Sequence, residues 1–364
     1  MMSQYSLFSR GRSDSSQSIN NLIDSQSETL PPQQTEVLDF KDLKPLADFY
    51  SVINAEYARG ATSVIQLVQI NEVVAVLKQA SPAEINMFRI LSNTELSSPF
   101  LKPIGIAKQN KSMLFLPKLS CTLEQLKPAL DFFKSNHSKY PQILYQLFLF
   151  VTELMGALRE RAILHYDIKP ENIGFDDRTN RLYLFDFGTS VQCYNPGDES
   201  SPEVGTPLYN WSPEYCNGIR TPAFAIESWS LGSLLEFIVS APSTDKPTHW
   251  INLFIRRSNQ YKEYLKTNTD TPNPQNLINA HEALDIKIKQ CTTVSELFNL
   301  MMNTLKHPNP QYRPTFYSMD KASKKMKSLL GSNENKDILR EVFSQLTHPS
   351  VQNTDKTQTE LSAF

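Results

Sequence analysis

His165-Tyr166-Asp167-Ile168-Lys169-Pro170-Glu171-Asn172 is the stretch on which the reading of this chain turns. It follows a run of Ile143, Leu144, Leu147, Phe148, Val151, Leu154, Met155 and Leu158, whose 3.6-residue periodicity, apolar on most sides, predicts a buried helix. The stretch itself reads as a loop, with Lys169 between Asp167 and Asn172. Downstream, Leu182-Tyr183-Leu184-Phe185 predicts a short strand ending in Asp186-Phe187-Gly188. Asp167, Lys169, Asn172 and Asp186 thus supply carboxylates, an ammonium and an amide. Hard cations such as Mg2+ take a few oxygens of this kind and complete their shell with water and phosphate.

Outward from that stretch, the chain divides into three parts. Residues 1–47 are rich in Ser, Gln, Asn and Asp and are expected to form a disordered polar tail. Residues 331–364 are also polar, with a short helical pattern on Ile338, Leu339, Val342, Phe343 and Leu346 that either docks or stands free. Between the tails lies one domain, 48–330. Its first part, 48–117, has short Val-, Ile- and Leu-rich runs and one helix around 83–91. A tight hairpin is predicted at Asn71-Glu72, between Val64–Ile70 and residues 73–77. The second part, 118–330, shows long helical patterns from Gln142 onward, with Met301, Met302 and Leu305 continuing them. The fold class expected is α+β: a small antiparallel sheet lobe with one helix, joined near 117–123 to a larger helical lobe.

Composition narrows the function classes. The 40% hydrophobic and 20% charged residues are those of a soluble globular chain, and 364 residues give room for a large core. A formal net charge of -2 provides no basic field for nucleic acid, so partners must be argued from sites. Cys121, Cys193, Cys216 and Cys291 are scattered, without a CxxC pair, and read as ordinary thiols of a reducing compartment. No secretory leader pattern and no apolar run of about 18 residues is seen, so no membrane span and a cytoplasmic location are expected. The lysines Lys321, Lys324, Lys325 and Lys327 lie at helical spacing and read as a solvated face.

Phosphoryl transfer needs positioned charge more than covalent help: a carboxylate at the attacking hydroxyl, a lysine at the phosphate, oxygens for Mg2+. The loop and the Asp-Phe-Gly strand end fit that need. Together they resemble the signature set of eukaryotic protein kinases of the Ser/Thr type, over residues 48–330. The resemblance implies a bilobal fold, ATP and Mg2+ (or Mn2+) as cofactors, and protein Ser/Thr hydroxyls as substrate. It makes Asp167 the catalytic base, Asn172 and Asp186 the metal holders, and Lys169 the phosphate-facing lysine.

The same likeness extends through both lobes. In Val74-Ala75-Val76-Leu77-Lys78, Lys78 would reach the α- and β-phosphates, with Glu84 on the next helix as its partner. Val76 replaces the alanine that usually roofs the adenine. Ala58-Arg59-Gly60-Ala61-Thr62-Ser63-Val64-Ile65 stands where the Gly-rich loop is expected, with Ala58 and Ser63 for its first and third glycines. Leu116 falls at the gatekeeper, and Pro117 C=O and Leu119 N–H at the adenine-binding hinge. Gly205-Thr206-Pro207-Leu208-Tyr209 and Ser212-Pro213-Glu214 resemble the end of an activation segment, with Arg313 as the buried partner of Glu214. Glu227 replaces an Asp that accepts from catalytic-loop amides. Tyr166 replaces an Arg that clamps an activation-segment phosphate, which implies activity without a phosphate on Ser200 or Ser201. Phe88, His165 and Phe187 are expected to stack. Two rival readings are a pseudokinase with a scaffold role, favoured by Ala58, Val76, Tyr166 and Glu227, and a small-molecule phosphotransferase of related fold. The activation segment with Arg313 speaks against the second. The oligomeric state is left open.

Overall fold

The computed structural model describes residues 36–59, 64–92, 98–193, 199–200, 205–240, 250–268 and 274–346. Residues 1–35 and 347–364 of the two predicted tails, Gly60 and Ser63 of the predicted phosphate loop, and Ser201 lie outside the described residues.

The first lobe is one antiparallel sheet of β1 (Val37–Asp39), β2 (Pro45–Ala47), β3 (Ser51–Arg59), β4 (Val64–Ile70), β5 (Val73–Gln79), β6 (Gly105–Ala107) and β7 (Met113–Pro117). Its strand order is β2-β1-β6-β7-β5-β4-β3. The hairpin at Asn71-Glu72 forms as expected, with Ile70 opposite Val73 and Asn71 at φ 52°, a left-handed conformation that Asn tolerates. α1 (Pro82–Ser92) packs Ile85, Met87, Phe88 and Leu91 into the core.

Residues 36–47, which composition assigns to the tail, are a correction: they form β1 and β2. Val37, Leu38 and Phe40 are buried, while Asp39, Lys41, Asp42 and Lys44 around them dilute the apolar signal. β1 is three residues long, too short for alternation to register as a strand.

The second lobe runs through β8 (Cys121–Thr122), α2 (Leu123–Phe132), α3 (Tyr140–Glu160), β9 (Ile163–Leu164), β10 (Ile173–Asp176), β11 (Arg181–Leu184), β12 (Val191–Gln192) and β13 (Glu199–Ser200). It continues with α4 (Pro207–Asn210), β14 (Thr221–Pro222), α5 (Ala223–Val239), α6 (Trp250–Thr267), α7 (Pro274–Gln290), α8 (Val294–Leu305), α9 (Phe316–Leu330) and α10 (Ile338–Leu346). The helical part therefore begins before Gln142. α2 opens on a capping box in which Gln125 N donates to Thr122 Oγ1 and Thr122 N to Gln125 Oε1. Pro128 inside it hides the helical pattern. α3 is long and apolar enough by composition to cross a membrane, but 67% of its apolar window is buried inside the lobe, as befits a core helix. α10 docks: Phe343 meets Phe175 at 5.7 Å, and Lys139 pairs with Glu341 at 2.7 Å. The four cysteines are unbridged thiols. Lys321, Lys324 and Lys327 pair with Asp285, Asp320 and Glu334.

Candidate active site

Strand pairing builds the upper wall of the cleft between the lobes. Period-two alternation puts Val76 and Lys78 on one face of β5, with Ile65 opposite Lys78 on β4 and Leu116 opposite Val76 on β7. These residues line a cavity of about 650 Å³ together with Ala58, Glu84, Pro117, Leu119, Asp167, Lys169, Asn172 and Asp186. All the predicted site residues within the described segments thus face one space. Cys121 lines it as well, and burial pushes its thiol up to about 12, so it acts as an apolar wall.

Lys78 joins the two lobes. Its Nζ lies 2.9 Å from Glu84 Oε1 on α1 and 2.6 Å from Asp186 Oδ1 after β11. Burial pulls the lysine's pKa down, but Asp186 and Glu84 outweigh that and hold it above the ordinary value. Burial also favours a protonated Asp186, yet the Lys78 charge and hydrogen bond prevail and hold its pKa below the usual carboxylate value. Glu84 is raised by burial in spite of Lys78. Asp186 takes φ 62°, which turns its carboxylate back toward β5.

The loop quoted at the outset is a closed network. Asp167 Oδ1 accepts from Thr206 Oγ1 at 2.7 Å. Its Oδ2 receives Lys169 Nζ at 2.8 Å and Asn172 Nδ2 at 3.0 Å. Lys169 also donates to Thr206 Oγ1 at 3.0 Å, so the activation-segment threonine touches both residues. Beneath them, Asp167 N donates to His165 Nδ1 while His165 Nε2 meets Phe185 O at 3.2 Å, which places the ring proton on Nε2. Burial lowers the His165 pKa to about 4, so the ring is neutral at neutral pH. Tyr166 sits at φ 63° and its N–H donates to Glu227 Oε1 at 2.9 Å. The extra methylene of Glu227 is therefore accommodated, and the carboxylate still reaches the loop. Burial raises its pKa to about 7, against the pull of the Tyr166 and His165 amides.

Behind the loop, Glu214 Oε2 and Arg313 Nη2 pair at 2.7 Å with both side chains buried. Gly205, at φ 97°, leaves no room for a side chain: a Cβ there would lie 2.1 Å from Tyr166 O. Arg257 on α6 escaped the sequence reading. It is 5% exposed and donates to the carbonyls of Pro207 at 2.9 Å and Leu208 at 2.6 Å in α4 and of Trp211 just beyond it. Burial lowers its pKa to about 10. No sequence signal could have marked it, because its partners are backbone groups some fifty residues earlier. Phe187 rests between Phe88 at 5.2 Å and His165 at 5.0 Å, both edge-on.

A small antiparallel sheet over a helical lobe, with carboxylates and lysines converging on one cleft, is a layout for handling phosphate and metal. The family model described as Protein kinase domain matches residues 51–327. The chain belongs to the protein kinase family.

Proposed function

We propose that the protein is an ATP-dependent Ser/Thr protein kinase, moving the γ-phosphoryl of Mg-ATP to protein hydroxyls. The observation that carries this reading is the contact of Asp167 with both Lys169 and Thr206, within the cleft that Lys78 and Asp186 face. Asp167 is placed to take the proton of an incoming hydroxyl. Lys169 would neutralise the phosphate under attack, and Thr206 ties that pair to the segment on which a substrate chain would lie. Lys78, charged and fixed by Glu84, would hold the α- and β-phosphates. The walls made by Ala58, Ile65, Val76 and Leu119 suit an adenine ring, with Pro117 C=O and Leu119 N–H for its edge. Gly60 and Ser63 would cover the phosphates.

The donor set fits Mg2+. Asp186 is ionised and its side chain is 44% exposed toward the cleft. Asn172, its nitrogen committed to Asp167, presents an oxygen. Two such ligands suffice for a cation that keeps phosphate and water in its shell. When bound, the ion would screen the charge that builds between phosphates.

The test is transfer from [γ-³²P]ATP to a degenerate peptide library by phosphatase-treated full-length protein. Label on Ser and Thr peptides, abolished in Asp186→Ala, is expected. Tyr166 cannot grip an activation-segment phosphate, so treatment should not remove activity. Nucleotide-induced thermal stabilisation without any transfer would select the pseudokinase reading, which Ala58 and Val76 favour. Absence of both would end the kinase reading.

A further inference from the structure

Glu84 meets Lys78 only while α1 lies close to β5, so whatever presses on α1 sets the cleft. Phe40 does so from the end of β1, a strand that lies outside the matched residues 51–327. β1 pairs with β6 through Val37↔Ala107, Leu38↔Ile106 and Asp39↔Gly105. The fit at that edge is tight: a Cβ on Gly105 would lie 2.7 Å from Leu38 O and 2.9 Å from Val37 Cγ1. Beyond the strand, Asp39 Oδ1 accepts from Lys41 N and Asp42 N and turns the chain. Phe40 N donates to Ile104 O at 3.2 Å, and the Phe40 ring, 7% exposed, points into the core. There it meets Phe88 of α1 edge-on at 6.4 Å and 78°. Phe88 meets Phe187, and Phe187 meets His165. Four rings therefore run unbroken from the β1 turn to the catalytic loop.

We propose that Phe40 is a positioning residue for the transfer reaction. Held by β1 on the edge of β6, it braces Phe88, and with it α1, in the place where Glu84 reaches Lys78. The brace is built into the chain. This inference rests on the kinase reading above. Phe40 does not line the cavity between the lobes, so its effect must pass through α1.

The test uses the full-length chain as wild type, Phe40→Ala, Phe40→Leu and Gly105→Ala. It combines ATP and peptide kinetics with hydrogen exchange of residues 82–92 in nucleotide-free protein. Phe40→Ala should lower kcat/KM for ATP by about tenfold, the scale of a lost edge-to-face pair, with peptide KM unchanged. Exchange should rise in 82–92 ahead of the helical lobe. Phe40→Leu should restore most of both. Gly105→Ala, which crowds β1 off its edge with Phe40 intact, should copy Phe40→Ala. Unchanged exchange in 82–92 for Phe40→Ala, or a rise spread evenly over both lobes, would overturn the proposal. Were wild type to transfer no phosphate, the kinase reading would fall while the exchange arms still decided the brace.

Discussion

Tyr166 and Glu227 are neighbours through one hydrogen bond, and both depart from the residue types that their family resemblance leads one to expect. Tyr166 is buried among Leu164, Cys193 and Ile226, so the ring that replaces a cation serves as packing under the catalytic loop. Glu227 shows what a sequence can and cannot disclose. Its position was legible from the family resemblance, but its protonation follows from burial, which only the fold reveals. With a folded pKa of about 7 and an ordinary value of 4.5, the folded state binds a proton that the unfolded state has released. The sign follows: this group's stabilisation is full below about pH 4.5 and is lost as pH rises through 7. Glu227→Gln keeps an oxygen for the Tyr166 amide and removes the titration. Thermal melts from pH 5 to 8 should show wild type losing stability relative to the variant as pH rises, by about 3 kcal/mol at most. Parallel curves would show that Glu227 stays ionised in the fold. Asp167, Lys169 and Asn172 were easier to read, because they lie within five positions of one another and bond directly, whereas the Lys78 partner of Asp186 and the Thr206 partner of Asp167 come from far along the chain.

At the scale of elements, legibility tracked how local the determining forces are. The Asn71-Glu72 hairpin and α1 carry their own turn residue and periodicity, and both formed where expected. β1 and β2 have neither; they exist because β6 offers a free edge and Gly105 lets a strand approach. α4 is a further case, a helix of four residues that cannot be stable alone. Arg257 holds it by donating to the carbonyl oxygens of Pro207 and Leu208 within it and of Trp211 just after it. α4 begins at Pro207, next to Thr206, so its position governs where the threonine meets Asp167 and Lys169. Arg257→Ala should therefore raise the KM for peptide well before that for ATP. The loss of charge-assisted bonds should also lower the unfolding free energy by about 3 kcal/mol, read by urea titration. Arg257→Lys, which keeps a charge but loses the fork, should fall between the two. An ATP KM that rises in step with the peptide KM would mean that Arg257 supports the whole lobe and not this segment.

The whole molecule extends beyond the matched residues 51–327 at both ends, and at both ends the added element closes on the machinery. β1 and Phe40 do so above α1; α10 does so below the cleft. Ile338, Leu339 and Val342 are buried, and Phe343 packs on Phe175 of β10, the strand that leads from the catalytic loop toward Asp186. Arg340 Nε donates to Asp177 O and Asn180 Nδ2 to Lys336 O, so the β10–β11 turn is fastened from the same side. The sequence showed this helix as an amphipathic pattern but left its partner open, since the apolar face it covers is assembled from α2, α3 and β10 only after folding. Burying three aliphatic side chains contributes about 1.5–3 kcal/mol each, an upper range because the unfolded chain already hides some of that surface. Ending the chain after Leu330 should thus cost on the order of 5 kcal/mol, a large part of the stability of an ordinary domain. The loss should appear first in the hydrogen exchange of α2 and β10, with the sheet lobe keeping wild-type protection. If the shortened chain melted like the full one, α10 would be a resting place for a free tail, and the domain would end where the family match does.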